Sequence, residues 1–282
     1  MTARILLGKE VAGGVRESIA ARVQLLRGRS VVPHLAFVTL GASPEASVYV
    51  NRLEKLAGPV GIAVTRHALR GDVPLSGLDD LVQRLNDDDE VDGVIVQMPL
   101  PPHLTSEDLS TIIDPRKDVD GITVNNAGRL YLGMPGQRPS TAVAMMEILR
   151  FARVNLAALN SVVIGRSQVV GHPLAELLLA ADATVTVTHR QTRDLAEHTR
   201  LADVLLVAAG HPRLITASMI RPGVVIIDAG INVEPEGIQG DVDFEGCLPI
   251  AGAITPVPGG VGPVTNSVVL RNVVDSAELR GR

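Results

Sequence analysis

The stretch Ser161-Val-Val-Ile-Gly165-Arg166-Ser167-Gln-Val-Val170-Gly171-His172-Pro173 leads from an apolar run to a helix start through a glycine-bounded loop. Glycine at the end of such a run permits a tight turn. The free N–H groups and positive dipole end of the helix that follows attract a phosphate. The spacing departs from G-x-G-x-x-G, so a plain strand-to-helix turn competes with this reading. The next apolar run ends in His189-Arg190, at the place where dinucleotide-binding sheets contact the adenosine ribose. An acidic residue there would favour a free 2′-hydroxyl, whereas Arg190 together with Arg166 suits a 2′-phosphate. NADP is therefore favoured over NAD. Elsewhere, Tyr49 and Leu53 stand one helical turn apart, Gln97 ends an apolar run, and Asp120 precedes Gly121. Taken singly, these read as a packing tyrosine, a strand-end cap and a turn anchor, since Asp-Gly is a turn pair.

Composition narrows the class. The chain has 282 residues, 46% hydrophobic and 20% charged, enough for a substantial core in one large or two ordinary domains. Aromatics make up only 2%, so the core is built from Val, Leu, Ile and Ala, as in buried parallel sheets. Few aromatics and a net charge of -5 argue against a nucleic-acid partner. The single cysteine, Cys247, excludes an internal disulfide and reads as a bystander. Asp87-Asp88-Asp89-Glu90 reads as a solvated helix end, and His103 and His172 lack metal-ligand spacing, so no metal site is expected. The N-terminal apolar run is too short for a signal peptide, and no stretch reaches the roughly 18 apolar residues of a membrane span. A soluble, cytoplasmic protein is expected.

The elements that must hold these residues alternate. Strands are expected at Leu35–Leu40, Ile62–Arg66 and Gly93–Gln97, with helices from Ser43-Pro44 to about Ala57 and from Leu75 to Leu85. Ser43 reads as N-cap, with proline at the first helical position. A second series follows Pro139: a helix to Phe151, strands at 161–165, 184–189, 203–209 and 224–228, a helix from Pro173 to Ala181, and a closing helix from Thr265. Strands separated by helices imply right-handed crossovers and parallel sheets. The expected fold class is α/β, two α/β domains flanking a cleft, the second a Rossmann-type doubly wound parallel sheet. Residues 1–137 would form the first domain, with 264–282 packing back on it, and 138–263 the second.

The motifs taken together resemble the bifunctional methylenetetrahydrofolate dehydrogenase/cyclohydrolase family. The blocks are Ser47-x-Tyr49, Gln97-Met98-Pro99-Leu100-Pro101, Lys117-Asp118-Val119-Asp120-Gly121, Asn126-x-Gly128-Arg129-Leu130, the 165–173 loop, Asp228-Ala-Gly230-Ile231-Asn232, Gly240-Asp241-Val242, and Thr255-Pro256-Val257-Pro258-Gly259-Gly260-Val261-Gly262-Pro263-Val264-Thr265. The resemblance implies a homodimer acting on a tetrahydrofolate one-carbon substrate. It implies catalytic roles for Tyr49, Gln97 and Asp120. It implies substrate contacts from Tyr49, Val96, Gln97, Leu100, Asp120, Pro258, Gly259 and Gly260. Cofactor contacts would come from Gly165, Arg166, Ser167, Val170, Gly171, Pro173, His189, Arg190, Ile231 and Thr265. In NAD-preferring relatives an Asp placed like Asp182 accompanies the two arginines, which keeps NAD open. Milder departures from the family are Ser140-Thr141-Ala142 for Cys-Thr-Pro, and Ala144 for Gly.

One departure touches the chemistry directly: the family's catalytic lysine position holds Leu53. Lys55 lies about 120° around the helix from Tyr49, and Arg52 stays protonated and shuttles protons poorly. Hydride removal from 5,10-methylenetetrahydrofolate needs alignment but no protein proton carrier, whereas hydrolysis of the methenyl product needs proton shuttling worth on the order of 10²–10⁴-fold. The expectation is an NADP-dependent dehydrogenase with weak or absent cyclohydrolase activity. A full bifunctional enzyme and a non-catalytic folate-binding paralogue are the alternatives.

Overall fold

The computed structural model describes residues 3–41, 44–235 and 237–280, with backbone alone at 44–47. Along the chain come β1 (Arg4–Ile5), α1 (Gly8–Arg27), β2 (His34–Leu40), α2 (Pro44–Val60), β3 (Ala63–Leu69), α3 (Leu75–Asp87), β4 (Gly93–Val96), α4 (Ser106–Ile112) and α5 (Val124–Tyr131). Then follow α6 (Ser140–Phe151), β5 (Asn160–Ile164), α7 (Gly171–Leu179), β6 (Thr184–Thr188), α8 (Leu195–Thr199), β7 (Val204–Val207) and β8 (Val225–Asp228). The hairpin β9 (Asn232–Glu234) and β10 (Gly237–Gln239), α9 (Phe244–Cys247), β11 (Ala253–Ile254) and α10 (Val261–Arg280) complete it. Ser43, expected to cap α2, lies outside the described residues.

The chain divides into two compact units, Gly14–Ser140 with Asn266–Arg282, and Met1–Gly13 with Thr141–Thr265. Residues 1–13 thus cluster with the second half of the chain rather than with the N-terminal domain expected for them. The reason is pairing: Arg4 and Ile5 of β1 lie parallel to Ala253 and Ile254 of β11. A two-residue strand beside a two-residue strand carries too little periodicity to be read in advance.

In the first unit β3, β2 and β4 form a parallel sheet in that order. Both faces are covered, which is why β2 reads as an unbroken apolar run. Leu35 and Phe37 face Ile19 and Val23 of α1, Val50, Leu53 and Ala57 of α2, and Val269, Leu270 and Val273 of α10. Ala36 and Val38 point the other way, to Leu78, Leu81, Val82 and Leu85 of α3. The return of the C-terminal helix to this unit is therefore a matter of apolar burial along one side of α10.

In the second unit the sheet order is β1-β11-β8-β7-β5-β6, parallel throughout. From β5 the chain steps outward to β6, then back across to β7, β8 and β11. This is the 2-1-3-4-5 variety of doubly wound sheet, and its switch point falls between β5 and β7.

Leu53 is 0% exposed and packed among Phe37, Val50 and Ala57. Leu53→Ala should lower the unfolding free energy by about 3 kcal/mol, as expected for an emptied leucine site. Urea titration with a fluorescent reporter dye checks this, and an unchanged midpoint would show the site to be less packed than described.

Candidate active site

The segment Lys117-Asp118-Val119-Asp120-Gly121 places two carboxylates in different circumstances. Lys117 Nζ donates to the carbonyls of Leu85, Asn86 and Asp88 at 2.9, 2.7 and 2.6 Å, closing the end of α3. Asp118 is 1% exposed and accepts from Ile122 N, Thr123 N, Thr123 Oγ1 and Asn126 Nδ2 at 2.8–3.0 Å. Its lone pairs are filled by the turn it organises. Thr123 in turn caps α5, accepting from Asn126 N. Asp120, two residues on, is hydrogen-bonded by Ser140. Burial, and then the nearby Asp118 charge, push its carboxyl up to about 7, with Ser140 working the other way. The turn-anchor role expected of this motif thus falls to Asp118 and leaves Asp120 available for a ligand.

Tyr49 lies on α2, its ring centroid 5.9 Å from that of Phe37 with the planes tilted by 60°. Burial raises the phenol's pKa, and the Asp120 charge raises it further, so the two groups share one electrostatic environment. Gln97 follows β4 and donates from its backbone N–H to Val38 O at 2.9 Å. Its Nε2 donates to Met98 O at 2.6 Å, while its Oε1 is buried without a partner among the described residues. A buried carbonyl oxygen with an open acceptor site is costly unless a ligand or water fills it. The side chains of Val96 and Leu100 belong to the cluster on the α3 side of the sheet, opposite to the face that holds Tyr49 and Leu53. Their side chains therefore pack with α3 rather than beside Tyr49. The side chain of Ser47 lies outside the described residues.

The 165–173 loop sits at the carboxyl end of β5. A Cβ on Gly165, whose φ is +115°, would meet Ala208 O at 2.2 Å, just past β7. A Cβ on Gly171 would meet Gly165 O at 2.1 Å. Only glycine lets the strand end, the neighbouring strand and the start of α7 approach so closely. Ser167 Oγ accepts from Val170 N at 3.1 Å and Gly171 N at 3.4 Å, holding the loop against the helix start, and Pro173 is buried in the first turn. Arg166 and Arg190 are exposed, and neither has a side-chain partner among the described residues. His189 closes a small turn, its N–H donating to Thr192 Oγ1 at 2.9 Å and its Nδ1 accepting from Gln191 N at 3.2 Å. Asp182 is exposed in the turn before β6 at φ 61°, at the opposite end of that strand from Arg190.

Pro258, Gly259 and Gly260 belong to the second unit, where Gly259 O accepts from Gly8 N at 2.8 Å. Thr265 Oγ1 donates within α10 to Val261 O at 3.3 Å, and Ile231 is exposed. Two residues that the sequence reading left without roles organise this end of the sheet. Asp241, fully buried, accepts from the N–H groups of Ala209, Gly210 and His211 and from Asn232 Nδ2 at 2.6–2.9 Å. Asp228 accepts from Gly230, Val242 and Asp241 N–H groups, and burial pushes its carboxyl up to about 6. For Asp228 the position after an apolar run was the available signal. Cys247 is buried, its thiol pushed up to about 11 by burial, in keeping with an inert side chain. No helix among the described residues is long and apolar enough to cross a membrane.

Fold and loop together define an α/β protein with a dinucleotide-type sheet. The catalytic-domain model of tetrahydrofolate dehydrogenase/cyclohydrolase matches residues 6–120, and that family's NAD(P)-binding-domain model matches residues 139–281. The chain belongs to the tetrahydrofolate dehydrogenase/cyclohydrolase family. It is 45% identical to the bifunctional protein FolD of Cereibacter sphaeroides, over 97% of this chain and 94% of that one. The crystal structure of the bifunctional FolD enzyme of Campylobacter jejuni is 38% identical, covers 99% of both chains and superposes with a TM-score of 0.97. A Trypanosoma brucei relative, solved with NADP cofactor and an inhibitor, is 34% identical over 99% of this chain and 98% of that one, with a TM-score of 0.94.

Gly165→Ala should weaken dinucleotide binding by at least about tenfold, since the added methyl must displace the Ala208 carbonyl that borders the loop. Fluorescence titration with NADPH measures this, and unaltered binding would remove the loop from the site.

Proposed function

We propose that the chain oxidises 5,10-methylenetetrahydrofolate to 5,10-methenyltetrahydrofolate with NADP, and that its cyclohydrolase step is weak or absent. The observation that carries the reading is that one unit holds Tyr49, the buried Asp120 carboxyl and a Gln97 Oε1 without a partner among the described residues, together with buried Leu53 at the position of the family's lysine. Asp120 would accept from the amino and ring N–H groups of the pterin, and Gln97 Oε1 from a further donor on the substrate. Tyr49 would lie against the ring. Pro258, Gly259 and Gly260 are proposed as the backbone close to the folate.

The loop residues fit an NADP molecule. Gly165 and Gly171 leave a cradle that a Cβ would fill, and the positive dipole end of α7 lies beside it. Arg166 and Arg190 stand exposed and unpaired among the described residues, suited to a 2′-phosphate, and Asp182 is at the far end of β6. Val170, Pro173, His189, Ile231 and Thr265 complete the proposed set. Bound there, NADP would supply the nicotinamide carbon that accepts the hydride. The reading includes a homodimer, as the family resemblance implies, and a cytoplasmic place of action.

Leu53 decides between the two steps. It neither donates nor accepts a proton, and as a neutral group it does not repel a methenyl cation. Tyr49, its phenol pKa raised, stays neutral at pH 7 and is a poor base. The second reading, a full bifunctional enzyme, is favoured by one group: the Asp120 carboxyl titrates near 7, where general acid–base help is most effective. Assay of both steps separates the readings. Methenyl product should accumulate with either nicotinamide tested, faster with NADP, and then decay at the buffer rate; brisk enzymatic decay would establish the bifunctional reading. Leu53→Lys should speed that decay by about tenfold or more while lowering stability, because an amine enters an apolar core. No gain would count against the assignment of position 53.

The Asp120 titration also sets a pH dependence. Below about 7 the carboxyl holds its proton and loses acceptor capacity, so the KM for the folate should rise as pH falls, approaching about tenfold per unit. Asp120→Asn should raise that KM at neutral pH and flatten its pH profile. A wild-type profile flat between about pH 6 and about pH 8 would refute the pterin-binding role.

A further inference from the structure

Asn272 lies on α10 and is 4% exposed. Its Nδ2 donates to two backbone carbonyls, Val119 O at 2.8 Å and Arg138 O at 3.3 Å. The first belongs to the residue immediately before Asp120. The second lies two residues before Ser140, whose hydroxyl reaches both Val119 O, at 3.2 Å, and the Asp120 carboxyl. One amide therefore ties together the two chain segments that define where Asp120 sits. Its neighbours extend the tie: Gln137 Nε2 donates to Asn272 O at 3.0 Å and to Ser276 Oγ at 2.8 Å, and Ser276 Oγ donates to Arg116 O at 2.6 Å.

We propose that Asn272 is a positioning residue for the folate step, holding the Val119 and Arg138 carbonyls so that the Asp120 carboxylate is presented to the pterin. The inference rests on the reading of Asp120 as the pterin-binding group. The amide's two N–H donors match two carbonyls, and an apolar residue there would leave one or both short of a partner. A binding carboxylate must be held within about 0.5 Å of its working position, and a misplacement of about 1 Å costs far more in turnover than in stability. Asn272 and Ser276, one turn apart on α10 and both buried, are polar side chains with this local reason for being there.

The test uses the full chain. Asn272→Leu keeps the bulk and removes the donors, and Asn272→Ala leaves room for a water to bridge the carbonyls. Both should raise the KM for 5,10-methylenetetrahydrofolate about tenfold, leave the KM for NADP within about twofold, and move the midpoint of the folate pH profile. Val274→Ala, on the same helix and fully buried, should lower thermal stability without moving either KM. An unmoved folate KM and pH midpoint in the Asn272 variants would overturn the proposal. So would an equal rise in Val274→Ala, or collapse of both Asn272 variants with loss of NADP binding, which would make Asn272 a folding residue. Asp120→Asn, run in parallel, separates the two claims. If it raises the folate KM while the Asn272 variants do not, only the positioning role falls. If it leaves the KM unchanged, the reading of Asp120 falls and the inference with it.

Discussion

Four donors converge on the buried carboxylate of Asp118, and the candidate substrate site depends on that convergence. Leaving any of those groups unpaired in the interior would cost about 1–3 kcal/mol, so the turn has one well-satisfied conformation. That conformation pins α5 through Thr123 and Asn126, while the next acidic residue, Asp120, has Ser140 as its side-chain hydrogen-bond partner among the described residues. Two aspartates two residues apart thus divide the labour. One is filled by backbone and side-chain donors; the other is pushed toward neutrality by burial and by its filled neighbour.

The apolar side of the same unit has a chemical consequence. Phe37 on β2 supports Tyr49 from the sheet, and Leu53 continues the helix face inward by one turn. A lysine at that depth would have its amine desolvated and its pKa depressed, which is how proton carriers are commonly tuned. Leucine gains transfer free energy at the same place. On the proposed reading, position 53 is a trade between core packing and acid–base chemistry.

The second unit solves a different problem. At the carboxyl ends of β7 and β8, Asp241 and Asp228 collect backbone N–H groups that no strand partner reaches. Those bonds hold the loop ends near the switch point while Gly165 and Gly171 keep the crevice floor close. Arg166 and Arg190 then stay without a side-chain partner among the described residues, because the loops do not need them for support.

The strands at 35–40, 93–97, 161–165, 184–189 and 224–228 were legible in the sequence because each is a β-rich apolar run bounded by turn residues. The phosphate-type loop was legible because glycine and a helix start leave a spacing signature. The long α1 was not singled out, and β1 and β11 are too short to show a period. The tyrosine, glutamine and aspartate of the candidate site could be named only as a pattern in order along the chain; the electrostatic environment that Tyr49 and Asp120 share is a property of packing. That Val96 and Leu100 face away from Tyr49, that Asp118 rather than Asp120 anchors the turn, and that Asn272 reaches back to Val119 were decided by the tertiary structure. The physical reason is range. Periodicity, capping and turn chemistry act over a few residues and are written locally, whereas the partner of a buried polar group can lie 153 positions away along the chain, as Val119 does from Asn272.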